Sequence, residues 1–153
     1  MSAAEVAAQI RRATARLCGR LGWAALHEVR LPNGRRADLL ALRGDGGFVV
    51  IEVKSGERDF RADQKWPDYR EFCDGFCFAV APDFPLALLP ENAWLILAEG
   101  GEAELVRPPP PHALAPARRR TLLHRFAILA AGRLAAREDP AGAAELAAAL
   151  RVE

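Results

Sequence analysis

Two apolar runs, joined by a glycine-rich turn, make up the stretch Arg36-Ala-Asp-Leu-Leu-Ala-Leu-Arg-Gly-Asp-Gly-Gly-Phe-Val-Val-Ile-Glu-Val-Lys54. Short runs rich in Val, Ile and Leu that are bounded by a glycine cluster predict strands over residues 36–42 and 48–54. A turn this tight joins its strands as an antiparallel hairpin. Both runs contain an acid close to one end, Asp38 in the first and Glu52 in the second.

The alternation of side chains along a strand places the charged residues of the hairpin on defined faces. Asp38 shares a face with Leu40, and Glu52 shares a face with Val50 and Lys54. Two carboxylates held close together raise each other's pKa unless a cation joins them. Mg²⁺ suits this role, as does Mn²⁺, because it takes a few carboxylate oxygens and keeps several waters. The hairpin therefore predicts a metal site.

The predicted site has two carboxylates, one carbonyl and one ammonium group. Asp38 and Glu52 would hold the metal, and the backbone carbonyl of Val53 would add an oxygen ligand. Lys54 would position or deprotonate the metal-bound water, or stabilise charge that develops on a phosphate. The alternative is an ordinary ion pair between Glu52 and Lys54 at a strand end. The acid in the preceding strand and the glycine turn favour the metal site over that pair.

The segments on either side of the hairpin predict further helices and strands. Ser2-Ala-Ala-Glu5 is a capping box, and apolar residues at helical spacing follow it as far as Gly22. A helical pattern covers residues 59–72, although Pro67 favours a start near Trp66 after an ordered loop. Other strands are expected at 24–31, 76–80, 93–98 and 104–107, and other helices at 116–137 and 141–150. This order, α-β-β-β-α-β with additions, indicates an α/β fold with a mixed sheet flanked by helices.

The length of 153 residues suits one domain with a terminal appendage. We expect a core over residues 1–107. Residues 108–153 would comprise a stiff proline-rich spacer, Pro108 to Pro111, and a C-terminal helical extension packed on the core. The sequence has no run of eighteen apolar residues and no apolar signal core, so we expect a cytoplasmic protein that does not enter a membrane.

The hairpin also resembles a known motif. Arg36-Ala-Asp38 followed by Ile51-Glu-Val-Lys54 is similar to the motif of the PD-(D/E)XK nuclease superfamily, with Ala37 where proline often stands. That superfamily includes restriction endonucleases and Holliday-junction resolvases. Over about residues 5–135 the chain more closely resembles the MmcB-like DNA repair proteins of bacteria. This likeness rests on Leu31-Pro-Asn-Gly-Arg-Arg-Ala-Asp38, Asp59-Phe-Arg-Ala-Asp-Gln-Lys-Trp-Pro-Asp-Tyr69 and Phe78-Ala-Val-Ala-Pro-Asp-Phe84.

The resemblance implies a restriction-endonuclease-like core, a role in DNA repair and further site residues. Many relatives carry an additional Glu on the first helix, for which Glu5 and the first-strand residue Glu28 are both candidates. Glu28 could instead pair across strands with a cation such as Arg36. Gln64 is a candidate catalytic residue because relatives often place a polar residue there. Lys65 is a candidate for contact with a DNA phosphate.

DNA is the expected partner, although the net charge of the chain is only +1. Arg12, Arg16 and Arg20 recur every four residues and form a basic ridge that would contact DNA phosphates unless it is a solvated face. Trp66 and Tyr69 could stack on bases, but core packing is the favoured interpretation.

The predicted function is that of a Mg²⁺-dependent deoxyribonuclease that hydrolyses phosphodiester bonds during DNA repair in association with the nucleoid. Cleavage of both strands would suggest a homodimer. The competing interpretation is a non-cleaving DNA-binding module that uses the same fold to recognise damaged or branched DNA.

Overall fold

The computed structural model describes residues 1–108 and 112–151. Within these residues six strands form one sheet, in which they lie side by side in chain order. The strands are β1 (Ala24–Arg30), β2 (Arg36–Leu42), β3 (Phe48–Val53), β4 (Gly75–Val80), β5 (Trp94–Glu99) and β6 (Glu102–Arg107). Pairing is antiparallel from β1 to β3 and between β5 and β6, and parallel from β3 to β5. The predicted α/β fold with a mixed sheet is thus confirmed.

Each predicted strand is present, with ends that differ by no more than two residues from those expected. The N-cap bond of the predicted capping box is present, since the backbone N–H of Glu5 donates to Ser2 Oγ at 3.1 Å. The helices are α1 (Ala3–Arg20), α2 (Glu57–Ala62), α3 (Pro116–Glu138) and α4 (Ala143–Leu150), with 3₁₀ helices at Trp66–Phe72, Leu86–Leu88 and Pro140–Gly142.

The helical segment predicted over residues 59–72 differs from expectation. It divides into the short helix α2 and the 3₁₀ helix Trp66–Phe72, separated by an extended Asp63 with φ −131°. Pro67 lies in the first turn of the 3₁₀ helix, where its missing N–H costs no hydrogen bond. Helical structure over residues 59–62 and the start near Trp66 were therefore predicted, but the break between them and the 3₁₀ geometry were not.

The two faces of the sheet have different coverings. Helix α1 packs Ile10, Ala13 and Leu17 against one face, in a core that includes Leu39 and Ile51. The other face carries an aromatic cluster, which consists of Phe60, Trp66, Tyr69, Phe76, Phe78 and Phe84. In this cluster the rings of Trp66 and Tyr69 both stack on Phe76, with centroids 5.7 and 5.9 Å away. These contacts support core packing over base stacking for the two residues.

The chain separates into two compact units, Met1–Leu114 and Ala115–Glu153. The buried carboxylate of Asp74 accepts hydrogen bonds from the backbone N–H groups of Phe48 and Leu114, so Leu114 is fastened to the sheet. The described part of the second unit contains α3 and α4, close to the predicted helices. Residues 109–111 of the predicted spacer lie outside the described residues. No helix in the described ranges combines the length and apolar character that a membrane span requires.

Candidate active site

The β2–β3 ladder ends at an unusual pair of hydrogen bonds. The final backbone pair joins Leu39 to Ile51, so Asp38 and Glu52 stand opposite each other at the next position. There the side chains replace backbone carbonyls as acceptors. The N–H of Asp38 donates to Glu52 Oε1 at 3.1 Å, and the N–H of Val53 donates to Asp38 Oδ2 at 2.8 Å. Each carboxylate is therefore attached to the opposite strand by one oxygen.

The same bonds orient the third predicted metal ligand. In an extended strand the N–H and C=O of one residue point to the same side. Because the N–H of Val53 points towards Asp38, its carbonyl also points to the β2 side. After β3 ends at Val53, the chain stays beside β4, where the N–H of Lys54 donates to the Ala79 carbonyl at 3.1 Å. The strands thus separate where Asp38, Glu52 and the Val53 carbonyl come together.

Burial makes the two carboxylates difficult to ionise together. The Glu52 side chain is 5% exposed. Burial, and then the negative charge of Asp38, raise the pKa of Glu52 to about 8. Burial also raises the pKa of Asp38, against the opposing effects of the Val53 hydrogen bond and the positive charges of Arg11 and Lys54. A divalent cation between the two groups would relieve this repulsion.

Lys54 has a partner that the sequence did not reveal. Its side chain is 4% exposed, and Nζ forms a salt bridge with Asp63 Oδ2 at 3.2 Å. The positive charge of Lys54 also acts to lower the pKa of both Asp38 and Glu52. The ammonium is thus held close to both carboxylates, while its salt bridge is with Asp63 and not with Glu52.

The turn after β3 brings a further acid near the site. The N–H and Oγ–H groups of Ser55 both donate to Asp59 Oδ2, at 2.9 and 3.1 Å. The charge of Asp59 contributes to the raised pKa of Asp38. A groove of about 670 Å³ runs past these residues between the first turns of α1 and helix α2. The two bonds to Asp59 therefore fix the position of Ser55, which follows Lys54 and lines the groove.

Gln64 and Lys65 lie in the break between α2 and the 3₁₀ helix. The amide of Gln64 donates to the Phe60 carbonyl, one helical turn earlier. The N–H of Lys65 donates to Asp63 Oδ1 at 3.1 Å, and the Lys65 side chain is exposed. In residues 1–108 and 112–151, the hydrogen bond of Gln64 is thus local and does not reach either carboxylate of the site.

The two candidates for an additional acid are placed differently. Glu5 is exposed in the first turn of α1. Glu28 lies in the β1–β2 register between the pairs His27–Leu39 and Val29–Ala37, opposite Asp38. Its carboxylate pairs with Arg11, at 3.5 Å. In the described part of the chain, neither Glu5 nor Glu28 completes a three-acid metal cluster with Asp38 and Glu52.

The basic ridge on α1 lies near the edge of the sheet opposite β1. Arg16 donates to the Gly101 carbonyl at 3.3 Å, and Arg20 donates to the Ala103 carbonyl at 3.2 Å. Arg20 also pairs with Glu102 at 3.5 Å. These contacts fasten α1 to β6 and to the turn before it, at the edge of the sheet farthest from β1. Of the ridge, Arg12 is exposed, while Arg16 and Arg20 use part of their hydrogen-bonding capacity on the fold.

Comparison with known proteins places the chain in context. A family model described as DNA repair protein MmcB-like matches residues 1–141. The fold is similar to the solved structure of a protein of unknown function from Silicibacter pomeroyi, with 41% sequence identity and a TM-score of 0.84. That similarity covers 89% of this chain and 93% of the other. None of the curated proteins compared with the chain matches it.

Proposed function

The chain belongs to the MmcB-like DNA repair protein family, and from that premise we propose that it is a metal-dependent deoxyribonuclease, which hydrolyses phosphodiester bonds in DNA. The observation that carries the proposal is the reciprocal bonding of Asp38 and Glu52, two carboxylates fixed at the point where β2 and β3 separate. A strand end without chemical function has little need for two such acids beside a buried lysine, because burying charge is costly.

The residues present fit Mg²⁺ or Mn²⁺. Among the described residues, Asp38 and Glu52 each use one carboxylate oxygen for a backbone N–H, so each retains a second oxygen. The Val53 carbonyl points to the same side. Three protein oxygens suit a cation that keeps several waters, and they do not suit one that demands an all-protein cage. When bound, the cation would activate a water and polarise the phosphate.

Lys54 supplies a fixed positive charge beside these oxygens. The salt bridge to Asp63 holds Nζ in place, and the buried position limits screening by solvent. An ammonium held in this way orients the attacking water and stabilises the negative charge that develops on the phosphate. This stabilisation is greatest when the ammonium group is in position before the reaction begins, and the salt bridge to Asp63 holds it there.

Exposed cations on three neighbouring segments would receive the DNA backbone. Arg36 lies two residues before Asp38 and therefore on the same face of β2. Arg58 lines the groove beside Ser55 and Asp59. Lys65 follows Asp63 by two residues. We therefore place DNA along this side of the sheet, with the electrostatic contribution to affinity supplied by these side chains.

The second candidate function is a DNA-binding module that does not cleave. One observation favours it: the described residues contain no cluster of three acidic or other metal-binding side chains. In that case Asp38 and Glu52 serve only to accept the N–H groups at the end of the ladder. The cations on this side of the sheet then recognise branched or damaged DNA without chemistry.

Cleavage assays separate the two functions. Labelled duplex, nicked, branched and single-stranded DNA is incubated with the protein in Mg²⁺, Mn²⁺ or EDTA. We expect metal-dependent cleavage that Asp38→Asn and Glu52→Gln each abolish. An amide oxygen still accepts the backbone N–H in these variants, so the fold is retained while a charged ligand is lost. Binding without cleavage of any DNA form by the wild type would instead establish the module. Cleavage of both duplex strands would further predict a homodimer, which sedimentation on duplex DNA would detect.

A further inference from the structure

Arg11 connects helix α1 to the carboxylate side of the sheet. Its Nη1 lies 3.5 Å from Glu28 Oε1, a distance at the outer limit of a hydrogen bond. Its Nε is buried and has no hydrogen-bond partner in the described residues. Its positive charge is also among the influences that lower the pKa of Asp38, against the larger effect of burial. The guanidinium is thus close to the site and only partly used by the fold.

An incompletely bonded guanidinium in this position is informative. The group carries five N–H donors in a planar fork, and that fork matches the oxygens of a phosphate. A buried donor without an acceptor is unfavourable, and in native structures such donors are satisfied by ordered water or by a bound group. Beside two carboxylates that would repel a phosphate, a nearby cation is also needed to bring an anionic backbone close.

The partner of Arg11 is held in a strained conformation. Glu28 has φ +49°, in the left-handed region that residues other than glycine rarely adopt. The pairing of β1 with β2 continues on both sides of it without a change of register. Strain of this kind persists where the surroundings impose it, and it occurs often at binding and catalytic sites. Here it accompanies a carboxylate that faces Arg11 at the level of Asp38.

We propose that Arg11 binds the DNA phosphate that lies against Asp38 and Glu52, and that Glu28 is the positioning residue which holds Arg11 in place. This inference rests on the proposed function and deepens it by naming the phosphate contact. The contact is separate from the Arg12, Arg16 and Arg20 ridge. Arg11 is turned by about 100° around the helix from Arg12, and so faces β1 instead of β6.

The test uses the whole protein, three variants at the proposed contact and one control variant. Arg11→Met keeps an apolar stem without the charge, Arg11→Lys keeps the charge without the fork, and Glu28→Gln keeps the shape without the negative charge. Arg137→Gln, at an exposed arginine in the last turn of α3, is the control. For each protein we measure DNA affinity against salt in EDTA, cleavage in Mg²⁺ and the melting temperature. The measurement in EDTA does not depend on cleavage.

Arg11→Met should lower the slope of log affinity against log salt by about one, because one phosphate contact is lost. It should also slow cleavage by about 10²–10³-fold, the effect of removing one positioned donor group. Arg11→Lys should retain the slope but recover only part of the rate, because the fork is absent. Glu28→Gln should raise affinity at low salt and yet lower kcat, a divergence that a purely structural role would not produce.

An unchanged slope and rate in Arg11→Met would overturn the inference and leave Arg11 as a structural partner of Glu28. If Arg11→Met does not fold, Arg11→Lys decides: slower cleavage at wild-type affinity supports the inference, and wild-type cleavage overturns it. A wild type that cuts no DNA would refute the proposed nuclease. The slope in EDTA would still decide, in that case, whether Arg11 binds phosphate.

Discussion

The two ends of β3 both rely on buried carboxylates, but they use them differently. At the first end, Asp74 accepts the N–H of Phe48 through Oδ2 at 2.8 Å and the N–H of Leu114 through Oδ1 at 3.1 Å. At the second end, Asp38 and Glu52 each accept one N–H, and burial with mutual repulsion raises the pKa of Glu52. Asp74 thus bonds backbone groups through both of its oxygens, whereas Asp38 and Glu52 each bond one backbone N–H through a single oxygen, which is the difference that the proposed metal site depends on.

The largest expected effect is on the cleavage rate after removal of Lys54, which lies at the Asp38–Glu52 end of β3. If the chain is a nuclease, Lys54→Ala should fold, bind metal and bind DNA, yet cleave about 10²–10⁴-fold more slowly. The fold should survive because the partner left behind, Asp63, has a side chain that is 43% exposed and can be solvated. Single-turnover cleavage under Mg²⁺ gives the rate. A rate equal to that of the wild type would mean that cleavage comes from another site.

The next largest effect is expected in the pH dependence of stability, which Glu52 at the second end of β3 should control. Burial first, and Asp38 second, raise the pKa of Glu52 from its ordinary 4.5 to about 8 in the folded chain. Between these values the folded chain holds a proton that the unfolded chain releases. Its free energy of unfolding should therefore fall as the pH rises from about 4.5 to 8, by roughly 2–4 kcal/mol in EDTA. Urea unfolding measures it.

Two changes should remove this fall. Glu52→Gln has no titrating carboxyl at that position, so its stability should vary less over the same pH range. Mg²⁺ should raise the stability of the wild type at the upper end of the range, because a cation favours the ionised pair. If the free energy of unfolding of the wild type in EDTA stays level or rises with pH, Glu52 does not have the raised pKa on which this prediction rests.

The structural end of β3 should respond in stability. Asp74→Ala leaves the buried N–H groups of Phe48 and Leu114 without their acceptor, which should cost about 2–3 kcal/mol. Asp38→Asn should cost less, because its amide oxygen can still accept the Val53 N–H. Thermal unfolding of both variants gives the comparison. An equal loss of stability in the two variants would contradict the view that Asp74 has the larger structural role.

The smallest expected effect is on metal affinity. Asp38→Asn and Glu52→Gln should each weaken Mn²⁺ or Mg²⁺ binding by about 10–100-fold, since each replaces a charged ligand with a neutral one. Asp74→Asn is the matched control, a carboxylate at the opposite end of the same strand, and should bind metal as the wild type does. Calorimetric titration measures the affinities. Identical affinity in all four proteins would refute the metal assignment.

The fold and the placement of Asp38 opposite Glu52 could be predicted because both depend on local periodicity. A two-residue repeat with a tight turn determines which side chains of a hairpin share a face. Asp63 could not be predicted as the partner of Lys54, because it lies in an irregular break between helices. The 3₁₀ geometry of Trp66–Phe72 was equally hidden, since Pro67 indicates where a helix begins but not which kind it is.

The orientation of α1 on the sheet also lay beyond the sequence. Spacing by four residues correctly grouped Arg12, Arg16 and Arg20 on one side of the helix. It contains no information about which strand that side meets, because the rotation of a helix is set by packing of its apolar residues against the sheet. The structure places Arg20 over β6, Arg16 over the turn before β6, and Arg11 over β1. Arg11 was overlooked because it does not belong to the repeating series.

The hydrogen bond from Leu114 to Asp74 has a practical consequence for dividing the chain. A fragment that stops at Arg107, where β6 ends, would deprive a carboxylate that is only 9% exposed of one of its backbone donors. The first end of β3 would then open to water. A recombinant fragment meant to carry the site without α3 should therefore extend through Leu114, so that Asp74 keeps both of its backbone donors.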